Sequence, residues 1–79
     1  MEAGVATRNL DQRTKAEVRR HGIKAFFSNR INIALGSDEP SHIIEELLLV
    51  MDYVKLNKEQ LIAIFDGQGP LSDFIDQHL

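Results

Sequence analysis

Nine of the fifteen residues from His42 to Leu56, HIIEELLLVMDYVKL, are Ile, Leu, Val or Met, and none is Gly or Pro. Advanced at about 100° per residue, Ile43, Ile44, Leu47, Leu48, Val50, Met51 and Val54 fall within an arc of roughly 160°, wider than the stripe of an ordinary surface helix. Glu45, Glu46, Asp52 and Tyr53 take the opposite side. Leu49 breaks the pattern, because its direction falls among Glu45, Glu46 and Asp52, where water is expected; burial there would require another chain. A bilayer span needs about 20 apolar residues, so this shorter stretch is expected as a buried helix of a soluble protein.

Upstream, Ile23, Phe26, Phe27, Ile31 and Ala34 follow the spacing i, i+3, i+4, i+8, i+11 and share one helical face, with Lys24, Ser28 and Asn32 opposite. Arg30 occupies the i+7 position, so a guanidinium enters the apolar stripe. Such an arginine lays its methylenes on the surface and carries its charge to the edge, pairs with a Glu or Asp of the core helix, or grips a partner's carboxylate or phosphate. Gly36 ends this helix, Ser37 or Asp38 caps the next, and Pro40 fits its first turn. The short connection favours antiparallel neighbours, with the Phe26/Phe27 face on the wide apolar arc.

Asp11 is a candidate N-cap for a helix through QRTKAEVRRH to Gly22. Only Ala16 and Val18 are apolar there, as in a solvated arm, a partner-facing helix or one that forms on binding. Met1 to Asn9 lacks periodicity and an apolar signal region, so residues 1–9 are expected as a mobile tail before a single helical domain at 10–79. Beyond the central stretch, Asn57 and Gln60 form a capping box for a helix with Leu61, Ile64 and Phe65 on one face and Ile62 at its edge. Gly67 and the GlnGlyPro turn end it. Pro70 then starts a last helix, with Leu71, Phe74, Ile75 and His78 inward, Leu79 near the edge, and Ser72, Asp73, Asp76 and Gln77 outward. The pattern predicts an all-α bundle of four or five short helices around a central hydrophobic helix.

Length changes this picture by favouring a dimer: a chain of 79 residues hides only about 60% of its unfolded surface, and a second subunit would help. The absence of Cys rules out disulfides and thiolate zinc sites and makes a reducing cytoplasm the expected compartment. Net charge is −3, yet residues 1–36 hold seven Lys/Arg against three Asp/Glu, and residues 37–79 hold two against nine. Such asymmetry fits a nucleic-acid surface, an acidic partner, or subunits packed head to tail.

Catalysis finds little support: there is no Cys nucleophile, no GxSxG, no phosphate-cradling glycine loop with Lys, and no cofactor motif. His42, Glu45 and Glu46 have a ligand-like i, i+3, i+4 spacing, which helices carry often by chance, so no metal site is assigned. Arg13, Arg20 and Lys24 would align if residues 11–29 formed one helix, with Arg19 and Arg30 on a neighbouring strip. A cationic face of this kind can seat on phosphates or an acidic partner, although Glu17 interrupts it and no aromatic is interleaved.

Residues 56–76, a capped amphipathic helix, a glycine turn and LeuSerAspPheIleAsp, resemble the helix-turn-helix of repressor-type DNA-binding domains. That resemblance implies a second helix that reads DNA, but here it carries Asp73 and Asp76 and no Lys or Arg. SerAspPheIleAspGlnHisLeu is also similar to the docking helices that end some modular polyketide synthase subunits. That likeness implies that Phe74 and Ile75 enter a partner's groove while Asp73 and Asp76 select its basic rim; alternatively Leu71, Phe74 and Ile75 close the chain's own core. The expected function is a small non-catalytic, homodimeric protein-interaction or regulatory module, of adaptor or docking type, using Leu49, Tyr53 and the Asp73, Phe74, Ile75, Asp76 cluster. The alternative is a nucleic-acid-binding transcriptional regulator that uses Arg13, Arg20, Lys24 and Arg30 or a degenerate helix-turn-helix.

Overall fold

The computed structural model describes residues 10–67 and 69–79; the tail expected at 1–9 lies outside the described residues. Among the described residues five helices follow one another: α1 (Gln12–His21), α2 (Ile23–Leu35), α3 (Ser41–Val54), α4 (Lys58–Ile64) and α5 (Pro70–His78). There is no strand among the described residues, in keeping with the helical periodicity throughout. The main contacts join α2 to α1, α3 and α5, and α4 to α5. No helix among the described residues is long and apolar enough to cross a membrane.

Local chemistry sets the helix ends. The Thr14 amide donates to Asp11 Oδ1 at 2.7 Å, making Asp11 the N-cap of α1. Gly22, at φ 88° and ψ 162°, both ends α1 and precedes α2. Residues 11–29 are therefore two helices folded on each other, and the single long helix that would align Arg13, Arg20 and Lys24 does not form. In the next turn the Ser37 hydroxyl accepts from the Glu39 amide at 3.2 Å, so it is spent locally. Pro40, one residue before the helix, takes the N-cap position of α3 that Ser37 or Asp38 was expected to fill.

The helix α3 stops at Val54, because Lys55 adopts the left-handed conformation (φ 61°, ψ 42°) and the Leu56 amide turns back to the Met51 carbonyl at 3.0 Å. The capping box of α4 forms as its residues predict: Gln60 N donates to Asn57 Oδ1 at 2.8 Å, and Asn57 N donates to Gln60 Oε1 at 2.9 Å. Lys58 Nζ donates to the Asp76 carbonyl at 2.9 Å, tying the first turn of α4 to the last turn of α5.

Phe27, Ile31, Leu47, Val50, Leu61 and Ile75 are fully buried, so helices α2 to α5 all supply the centre of the core. Leu10 and Val18 add to it from the α1 side. Four side chains depart from their periodic positions. Leu48, expected within the buried arc, is 44% exposed. Leu49, expected in water, is half-buried against the core and lines an open hollow with Leu10, Asp11 and Thr14. Ser72, expected outside, is buried, and its hydroxyl donates to the Phe65 carbonyl at 3.3 Å, satisfying an acceptor at the end of α4. His78 lies at the surface rather than in the apolar face, with its ring centre 4.6 Å from that of Phe74.

The left-handed residue gives a direct test of local strain. Lys55 and its neighbour Asp52 are 80% and 85% exposed and 3.8 Å apart, so their pairing contributes little. Replacing Lys55 by Gly is expected to raise stability by about 0.5–1 kcal/mol, seen as a melting temperature several degrees higher by circular dichroism. A lower melting temperature would refute strain at this cap.

Candidate interaction surface

Of the polar groups best placed by sequence for contact with a partner, Arg30 is held by the chain itself. Arg30 Nε donates to Glu46 Oε1 at 3.1 Å, Nη2 to Glu17 Oε1 at 2.6 Å, and Nη1 to Asn29 Oδ1 at 2.9 Å. Its guanidinium carbon also stands 4.6 Å from the centre of the Phe26 ring. The second Glu46 oxygen accepts from the Thr14 hydroxyl at 3.2 Å. Desolvation works against the Arg30 charge, but the hydrogen bonds and charges of Glu46 and then Glu17 outweigh it and hold the guanidinium above the usual arginine range. Arg30 therefore fastens α1 to α3 across α2. All three of its nitrogens are engaged within the chain, so contact with nucleic acid or an acidic partner would compete with these bonds.

Arg13, Arg19, Arg20 and Lys24 are exposed and form no ion pair among the described residues. They divide between two surfaces. Arg13 and Arg20 remain together on the outer side of α1, beside Ala16 and Glu17. Lys24 lies beyond the Gly22 break, at a hollow of about 570 Å³ lined by Ile23, Ala25, Ser28, Phe65 and Leu71, with His21 at its edge. Ile23, Phe65 and Leu71 give this hollow its apolar character, and Lys24 gives it a free cation.

The other expected contact residues are placed as follows. Tyr53 is half-buried, with Lys15 Nζ 5.3 Å from its ring centre, on the same flank of α3 as Leu49. Phe74 and Ile75 are 5% and 0% exposed, so they close this chain's core and offer no stripe to a partner's groove. Asp73 and Asp76 are exposed, and the Asp76 carboxylate is 3.6 Å from Lys58. His42, Glu45 and Glu46 border the hollow that contains Leu49, but Glu46 is committed to Thr14 and Arg30. Among the described residues no group of three His, Cys, Asp or Glu is placed to hold a metal ion.

Spacing alone left the exposed aliphatic residues unnoticed. Ile33 and Leu35 are each 51% exposed on α2, and Leu48 is 44% exposed on α3. Their signal was available, because Ile33 and Leu35 fall outside the Phe27, Ile31, Ala34 face of α2.

Two measurements probe the polar clasp. Arg30→Met is expected to cost about 1–3 kcal/mol in urea unfolding, with α1 amides losing exchange protection first; Arg30→Lys, which keeps charge but not the three-donor fork, should rescue little. Full stability in Arg30→Met would refute the clasp. The second concerns Asp11, whose carboxyl is held below its ordinary value by the Thr14 amide, then the Thr14 hydroxyl, with a smaller push from Arg13. A lowered folded pKa means that this stabilisation is present above the unfolded value of about 4 and is lost as pH falls through the folded one. Acid titration followed by ellipticity should show α1 loss that is weaker in Asp11→Asn, whose cap does not titrate; equal losses would refute it. Comparison with protein-family models, curated proteins and solved structures finds no match.

Proposed function

We propose that this chain is a small non-catalytic protein-interaction module of adaptor or docking type, homodimeric in use, with α3 as the hydrophobic spine of its bundle. The observation that carries this proposal is the hollow beside the start of α2, where Ile23, Phe65 and Leu71 meet an unpaired, exposed Lys24. An apolar floor with a charged rim suits a protein segment that brings an apolar side chain and a carboxylate together. Arg30, Glu17 and Glu46, the groups that acid–base or phosphate chemistry would call on, are instead consumed in holding helices together.

A second reading keeps the cationic face of α1, where Arg13 and Arg20 point outward together. It would make the protein a nucleic-acid-binding regulator that seats α1 on phosphates. Glu17 within that face, the net charge of −3 and the exposed Asp73 and Asp76 on α5 all favour the protein-binding alternative.

Site-specific photo-crosslinking in cells separates the two. A photoreactive residue at Ser28, in the hollow, is expected to give discrete protein adducts, whether with a second copy or another chain, and the same group at exposed Gln77 is not. Absence of adducts at Ser28 would sink the docking role. Salt-sensitive binding to random duplex DNA in fluorescence anisotropy, lost on Arg13→Ala with Arg20→Ala, would transfer the assignment to the nucleic-acid alternative.

A further inference from the structure

We infer that the hollow at the start of α2 receives Leu35 together with the acidic pair Asp38 and Glu39 of a second copy, in an antiparallel two-fold pairing of α2 helices. This inference rests on the interaction role proposed above and names the partner. Lys24, Ser28, Ile31 and Leu35 are spaced i, i+4, i+7 and i+11, so they form one strip along α2. Ile31 is buried at the inner edge of that strip, while Lys24 and Leu35 are exposed at its two ends.

The ends are chemically complementary. At the start lie the hollow, with Phe65 and Leu71 in its lining, and the free Lys24 ammonium. Leu35 is 51% exposed at the other end, and Asp38 and Glu39 follow it, exposed and without an ion pair among the described residues. Eleven helical residues separate the ends by about 16 Å, so they cannot meet within one chain. An antiparallel second copy sets each end against its complement twice, which closes the assembly at two chains.

Within each contact the leucine side chain enters between Phe65 and Leu71 while the carboxylates meet Lys24. The start of α2 adds to the attraction. Gly22 offers no side-chain cap there, so the first amides of α2 face the incoming acidic turn with their partial positive charge. A strip this narrow falls short of the about 800 Å² per partner of a standard interface, so pairing is expected at micromolar concentrations or above.

Sedimentation equilibrium with a charge exchange tests the pairing. Wild type is expected to dimerise between about 10 and 500 µM, and Leu35→Asp should remain monomeric. Lys24→Glu alone, and Asp38→Lys with Glu39→Lys alone, should each weaken dimerisation at least tenfold. Mixed in equal amounts, those two variants should regain it, because both contacts of the mixed pair are then attractive. Ile33→Asp, on the opposite flank of α2, should leave the dimer intact, and circular dichroism confirms that each variant is folded. A monomeric wild type, Leu35→Asp or either charge variant dimerising like wild type, a mixture that fails to recover, or loss of the dimer in Ile33→Asp would overturn the pairing. If wild type is monomeric while Ser28 still crosslinks to a different protein, self-pairing fails and the docking role stands.

Discussion

One cation organises the polar half of this molecule. Arg30 sits where an apolar residue would complete the face of α2, and its 20% exposed side chain gathers Glu17 from α1 and Glu46 from α3. The helix α1 depends on that arrangement more than on oil-like burial, because Val18 is its only buried apolar residue. Thr14 completes the network, both as a buried donor to Glu46 and as the residue whose amide Asp11 caps. A charged group left without partners in such a place would be costly, so the three helices share one condition for being correctly placed.

The same constraint explains why α1 is packed rather than free. Its composition reads as a solvated arm, and most of its surface is indeed exposed, yet it lies on α2 and covers the Leu49 flank of α3. The exposed apolar surface lies elsewhere, in the hollow at the start of α2 and at Ile33, Leu35 and Leu48. The core stays small but draws on all five helices, so no single helix can be removed without opening it.

Much of the fold was legible in the sequence because its signals are local. Asp11, Gly22, the Asn57 and Gln60 box and Pro70 each act within a few residues, and the apolar spacing of α2 identifies Phe26, Phe27, Ile31 and Ala34, all buried. The departures come from what spacing does not contain, namely which neighbour covers a given face. Leu49 looked solvent-facing because α1 was not foreseen above it, and Ser72 looked outward because the orphan Phe65 carbonyl belongs to another helix. Phe74 and Ile75 have the pattern of a docking stripe and of a core alike; with so few apolar residues available, the core claimed them. The hollow at Lys24 was hidden for the same reason, since Ile23, Phe65 and Leu71 meet only in three dimensions.

Gly22 places a limit on how such a chain can diverge. A Cβ at this position would meet nothing within 4 Å, so backbone conformation, and not room, asks for glycine: φ 88° with ψ 162° is territory that other residues avoid. It is also the sole residue between α1 and α2. One extra residue absorbed into α1 would turn that helix by about 100°, carrying Glu17 away from Arg30 and Thr14 away from Glu46. Relatives of this chain should therefore vary in length at the α2–α3 or α4–α5 connections before they vary at Gly22, and a glycine at fixed distance from the arginine would mark them better than overall identity.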